Sequence, residues 1–177
     1  MKKIICAVVG IMVFICGAVA LIGAGNSQSN NDYLRIHIRA NSNSEYDQSI
    51  KYEIKDCVVK ALTPLAKEIT SKEKMIEVLN ENLSYIKEVV DVKLLQLGQK
   101  YTSKVKICEE KFPTRTYEEL TLKSGVYDAL IIELGTGTGD NWWCVAFPPL
   151  CFVTQDNGED NIVYKSKIKE LIEKYIK

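Results

Sequence analysis

Residues 4–25 carry no charge, and that stretch follows Met1, Lys2 and Lys3 directly. It constrains the chain more than any other feature, because a small water-soluble domain has no interior in which to bury it. As a helix it reaches about 33 Å at ~1.5 Å per residue, against a hydrocarbon core of about 30 Å. The two lysines precede it, so the positive-inside rule sends everything after it out of the cytoplasm. Residues 1–25 therefore read as an export helix, either a signal peptide or a signal anchor. Ala18-Val19-Ala20 fits the small-residue preference of signal peptidase, and Gly23-Ala24-Gly25 weakens a helix just beyond it; both favour cleavage. Cys16 is a poor lipidation site, because the bulky Ile15 stands before it.

The remainder suffices for one domain with a proper core. Without Lys2 and Lys3 it holds 21 Lys+Arg against 23 Asp+Glu, so it lacks the basic excess that a nucleic-acid face or a polybasic membrane patch requires. The expected organisation is a linker over 26–32, rich in Asn and Ser, and a single exported domain over 33–177.

Leu34, Ile36 and Ile38 alternate with Arg35, His37 and Arg39, the period of a half-buried strand. Ser42 or Ser44 then caps a helix whose apolar stripe runs from Ile50 to Leu65, with Pro64 kinking it or starting a second piece. A second helix, about seven turns long, reads from Met75 to Leu97, with Gly98 as its C-terminal cap. Val105 and Ile107 alternate with Lys104 and Lys106 in a strand ended by Phe112 and Pro113. The apolar run 126–134 suits a central strand. Residues 141–147 form another strand, stopped by Pro148 and Pro149, and Ile168, Leu171, Ile172, Tyr175 and Ile176 stripe a last helix over about 164–177. Helices grouped rather than alternating with strands predict an α+β fold: a largely antiparallel sheet of about four strands backed by two or three helices, preceded by the export helix.

Gly135, Gly137 and Gly139 suggest a phosphate loop, but a strand follows where a helix N-terminus would have to face the anion, so a mobile connection between strands is expected. No metal or cofactor is expected, since neither His-x-x-x-His nor Cys-x-x-Cys spacing occurs. His37, the single histidine, reads as a hydrogen-bonded surface residue. A sharper alternative makes the chain an exported cysteine hydrolase, with Cys144 as thiol nucleophile, His37 as base and Asn141 as orienting amide. Outside the cytoplasm Cys57, Cys108, Cys144 and Cys151 can pair in three ways. A Cys144–Cys151 disulfide requires chain reversal, which Pro148 and Pro149 could supply; buried free thiols are the alternative. Cys57 lies on the helix stripe, while Cys108 shares the exposed lysine face. Trp142 and Trp143 point to opposite sides of their strand, so one ring can fill the core while the other anchors a partner, unless the chain's own helices cover both.

Two segments, 35–48 with Arg35, His37, Asn41, Asp47 and Gln48, and 141–152 with Asn141, Trp142, Trp143, Cys144, Phe147, Pro148, Pro149 and Cys151, resemble the stage II sporulation protein R family of endospore formers. Phe112, Pro113, Arg115 and Tyr117, then Gly125, Tyr127 and Ala129, look like its middle blocks, so the resemblance runs from Leu34 to Phe152 and leaves the last helix outside. Arg39, Asn43 and Ala146 depart from the commoner family residues. The resemblance implies a secreted signal, made in the forespore, that enters the space between forespore and mother-cell membranes. There it would activate a membrane-embedded, aspartic-type peptidase that processes the precursor of the mother-cell sigma-E factor. It implies a ligand rather than an enzyme; the charge balance leaves no nucleic acid as partner, and the N-terminal segment gives transient membrane contact. The family brings no settled catalytic residues. The motif positions His37, Asn41, Asp47, Asn141, Trp142, Trp143, Cys144, Phe147, Pro148, Pro149 and Cys151 are therefore candidates for partner contact.

Overall fold

The computed structural model describes residues 30–117 and 120–151. The export helix expected over 1–25, residues 26–29 of the expected linker and the helix expected over 164–177 lie outside them. Among the described residues no helix is long and apolar enough to cross a membrane. The last linker residues, Asn30–Asp32, form a 3-10 turn, and Lys72 donates to Asn31 O (2.8 Å) while pairing with Asp128.

Strand β1 (Leu34–Arg39) leads into α1 (Glu45–Ala66), α2 (Lys72–Glu81) and α3 (Leu83–Gln96). Of the two serines with capping spacing, Ser44 is the cap: its Oγ accepts from the Asp47 N–H (3.1 Å). Ile50, Ile54, Val58 and Leu62 turn the buried stripe of α1 inward. The helix continues through Pro64 to Ala66 without a separate second piece.

The single long helix expected after Ser71 is two helices. Asn82 separates them: its backbone leaves the helical region (φ −107°, ψ 9°) and its Nδ2 donates to Val78 O at 2.7 Å. An amide that bonds a carbonyl one turn back competes with the helix ladder, so the apolar stripe carries on while the backbone bends. Gly98 ends α3 as expected. At φ +75° its N–H donates to Leu95 O, and that of Gln99 to Leu94 O, the paired bonds of a Schellman cap.

The remaining strands are β2 (Ser103–Phe112), β3 (Arg115–Tyr117), β4 (Leu120–Leu122), β5 (Gly125–Leu134) and β6 (Asn141–Phe147). The main sheet has the order β2-β5-β1-β6. Its β2–β5 and β1–β6 pairs are antiparallel and its central β1–β5 pair is parallel, so the fold is α+β with a mostly antiparallel sheet. Ala129 to Ile132, wholly buried, bear out the central place expected for β5.

The helices cover one face of the sheet, where Leu34, Ile36, Ile38, Leu130 and Ile132 meet Ile54, Val58, Leu79 and Val90. The other face, expected to be polar and solvated, is also covered. Strands β2 and β5 pair as far as Phe112 and Gly125, beyond the start of β1, and β3–β4 extend them as a separate hairpin. This arm folds back, since Phe112, Leu120, Leu122 and Tyr127 form a second core with Tyr33, Val145 and Leu150.

Candidate functional site

Tyr33, Arg35 and His37 face the arm, and each is at least nine-tenths buried. The Arg35 guanidinium lies 4.2 Å over the Phe112 ring, 5.0 Å over Tyr127 and 5.7 Å over Tyr117, and its Nη2 donates to Tyr117 OH at 2.6 Å. An aromatic cage favours a desolvated cation through the ring quadrupoles. Among the described residues Arg35 Nε and Nη1 nevertheless have no hydrogen-bond partner, and neither does Tyr33 OH.

His37 is not the surface residue expected. Its Nδ1–H donates to Glu110 Oε2 (3.0 Å), and its ring stacks on Trp143 and tilts against Phe112. Burial pulls its pKa down from 6.5 to about 4; the Asn141 side chain opposes this, and the Arg39 and Arg35 charges reinforce it. The Asn141 contact falls short of a well-formed bond, for His37 Nε2 has no partner. Glu110 also accepts from Arg39, whose Nη1 donates to Glu133 (2.7 Å). A charged row thus borders the neutral imidazole.

Strand β6 settles the cysteine hypotheses. Cys144 and Cys151 form a disulfide (Cα–Cα 6.1 Å), and Cys57 and Cys108 are free. Cys144 lies opposite Ile36 on the helix side of the sheet, whereas His37 lies opposite Trp143 on the arm side. A sulfur already in a disulfide, on the other face from its supposed base, cannot be activated as a thiolate, so the Cys144–His37–Asn141 arrangement is corrected. Cys108 is half-buried against the second core rather than exposed on the lysine face. Cys57 is half-buried near Val89, and burial pushes its thiol pKa up.

Neither tryptophan stands free, and the covering side chains are not the helices alone. Trp142 packs on the helix-side core, while Trp143 packs on the second core beneath Arg115, whose guanidinium lies 4.0 Å over its ring. Both rings keep partial exposure. The register slips between Leu34, opposite Phe147, and Arg35, opposite Val145, and this irregularity turns Phe147 to the helix side. Beyond it the chain reverses at Pro148 and Pro149, with Leu150 N–H donating to Pro148 O (2.7 Å), which brings Cys151 back to Cys144.

Asn41 and Asp47 belong to a different cluster. The Asp47 carboxylate accepts from Asn41 Nδ2 (3.0 Å), Ser42 Oγ and Tyr101 OH (3.0 Å). Burial raises its pKa, but the hydrogen bonds from Ser42, Asn41, Tyr101 and Ser44 outweigh that and hold it below the ordinary carboxylate value. Asn41 in turn ties down the glycine-rich loop: its Oδ1 accepts from the Thr136 N–H (3.0 Å), and its backbone carbonyl accepts from the hydroxyls of Thr136 (2.6 Å) and Thr138 (2.9 Å). Gly135, at φ +58°, passes so close that an added Cβ would collide with Asn41 Oδ1. The loop is a fastened latch rather than a mobile connection.

Arg35, Glu110, Phe112, Tyr117 and Tyr127 carry no signal of a shared site along the chain, since strand alternation assigns the β1 polar residues to solvent. Their one signal is the resemblance, whose first block holds Arg35 and whose middle blocks hold Phe112, Tyr117 and Tyr127. Folding puts those blocks against the first and last ones. Among the described residues no group of three His, Cys, Asp or Glu side chains is placed to hold a metal ion.

The comparisons with known proteins agree with the resemblance. A family model described as stage II sporulation protein R matches residues 30–157. The curated stage II sporulation protein R of Bacillus subtilis (strain 168) is 36% identical over 170 residues, covering 90% of this chain and 75% of that protein. No solved structure matches. A match that spans the polar row of β1, the arm and the disulfide-closed end of β6 shows that the chain belongs to the stage II sporulation protein R family.

Proposed function

We propose that this chain is an exported sporulation signal that activates a membrane-embedded, aspartic-type peptidase, which then processes the precursor of the mother-cell sigma-E factor. Family membership supports a sporulation role, and the uncharged N-terminal segment supports delivery from the forespore into the space between the two membranes. In that space the segment is either cleaved away or keeps the domain anchored.

The observation that carries the ligand reading is a convergence. Segments far apart in sequence pack into one unit in which Trp143, gripped by His37 and Arg115, still reaches the surface. A rigid, partly exposed Trp beside an Arg is the composition of a binding hot spot. Such a ligand works by binding the active state of the peptidase more tightly than the inactive one, because only differential affinity moves an equilibrium. The Cys144–Cys151 bond fixes the end of the strand that carries both tryptophans, which keeps the contact preorganised.

The test is processing of the precursor in a host that carries precursor and peptidase. Cleavage is expected only when this chain is exported. Cleavage in its absence, or none with the folded chain exported, overturns the reading.

A further inference from the structure

We infer that Arg35 and Tyr33 form a receptor for one carboxylate group beneath the β2–β5 arm. Arg35 is 0% exposed and Tyr33 1% exposed. Tyr33 immediately precedes β1, Arg35 is the second residue of that strand, and both meet Tyr127: the guanidinium rests over its ring, and Tyr33 packs beside it in the second core. Three buried donors, Arg35 Nε, Arg35 Nη1 and Tyr33 OH, have no acceptor among the described residues. An unpaired buried donor is costly, and a buried cation without an anionic partner more so, which makes such groups rare unless something completes them.

What completes this site must accept hydrogen bonds and carry one negative charge. Glu110 and Glu133 are engaged by Arg39 and Asp128 by Lys72, and the Asp32 carboxylate acts on Tyr33 through its charge without accepting from the Tyr33 hydroxyl. The single guanidinium charge is matched by a carboxylate, whereas a phosphate dianion would bring an excess negative charge into an apolar cage. His37 does not contribute, because its N–H is committed to Glu110 and its free Nε2 offers a lone pair that repels a carboxylate oxygen.

The cover is suited to opening. Among the described residues strands β3 and β4 pair only with each other, and the hairpin meets the rest through side chains: Tyr117 on Arg35, Arg115 on Trp143, and Leu120 with Leu122 in the second core. An entering carboxylate would bond Arg35 through Nε or Nη1, beside the Nη2 that donates to Tyr117 OH.

The test follows the Arg35 Nε–H resonance in the ¹⁵N-labelled full chain in detergent micelles, assigned by its loss in Arg35→Lys. Sodium acetate is titrated against sodium chloride at matched ionic strength. The same titration is run on a variant with Asp156→Asn, Glu159→Gln and Asp160→Asn, the first acidic residues after Cys151. A saturable shift with acetate and none with chloride in the wild-type chain is the expected result for a carboxylate supplied from outside. A wild-type signal indifferent to acetate beside a responsive variant assigns the site to a carboxylate of the chain itself. Indifference in both proteins, with the Arg35 signal observed, overturns the inference.

Discussion

The Trp143 indole stacks on the His37 imidazole, with centroids 5.5 Å apart and planes inclined by 27°. The Arg115 guanidinium lies 4.0 Å over the same indole. Trp143 therefore joins β1, β6 and the arm, and its removal tests stability and contact together. Trp143→Ala is expected to destabilise the domain by about 2 kcal/mol through lost apolar contact and lost cation–π attraction. Trp143→Phe, which keeps a ring for both neighbours, is expected to recover most of that stability. If it also restores precursor cleavage, the indole has no role beyond packing; stable folding with lost cleavage identifies it as a contact residue. Urea midpoints measured beside the processing assay separate the two.

The buried His37 makes stability depend on pH in a defined window. Its folded pKa, about 4, is below the ordinary 6.5, so between those values the unfolded chain binds a proton that the folded chain refuses. Its contribution is fully present above pH 6.5 and is lost as pH falls toward 4. The loss is about 2 kcal/mol once residual solvent screening is discounted. Asp47 and Asp91, whose folded pKa values are also depressed, lose their contributions only below the ordinary carboxylate value of 3.8, so they leave this window clear. His37→Phe is expected to flatten the stability curve between pH 6.5 and 4.5. A wild-type curve already flat there shows that the ring titrates normally.

How far the chain announces this arrangement depends on the range of the interaction. Ser44, Gly98 and the alternation of β1 and β6 are local, and each stands where the sequence places it. Asn82 is local too, but apolar periodicity runs straight across it, so the break in the helix is hidden beneath an unbroken stripe. The buried state of Arg35 and His37 is not local at all. Period-two alternation distinguishes two faces of a strand, and nothing in β1 says that an arm more than seventy residues later covers the polar one. The aromatic residues that make Arg35 tolerable are spread over three strands and converge only in the fold. The same holds for Cys144: its pairing needed the reversal at Pro148, and its separation from His37 needed the register of β6 on β1.

Asp47 holds two loops together, and neutralising it should loosen both. Asp47→Asn replaces an ionised acceptor of several hydrogen bonds by an amide whose NH₂ must face donors from Asn41, Ser42 or Tyr101. The expected cost is about 2 kcal/mol, the range for hydrogen bonds to a charged group. Because Asn41 also holds Thr136 and Thr138, the amides of residues 135–140 are expected to exchange faster in the variant than in wild type. A loss of stability with unchanged exchange in that loop would show that Asp47 supports α1 alone.

The Cys144–Cys151 disulfide closes a short loop around the reversal at Pro148 and Pro149. Loop-closure entropy for a ring of this size corresponds to about 2 kcal/mol of stabilisation. Reduction, or the paired change Cys144→Ser and Cys151→Ser, is expected to lower the urea midpoint accordingly while leaving the helices folded, since Ile54, Val58, Leu79 and Val90 still meet Leu34, Ile36, Ile38, Leu130 and Ile132. Thiol labelling gives an independent check. Without reductant, iodoacetamide should reach Cys57 slowly, because burial raises its pKa and thins its thiolate, and should leave Cys144 and Cys151 unmodified. Rapid labelling of Cys144 in the folded, unreduced protein would mean that the bond is absent. The free thiol would still lie on the opposite face of the sheet from His37, so the base of any thiol chemistry would have to be sought among the groups around Ile36.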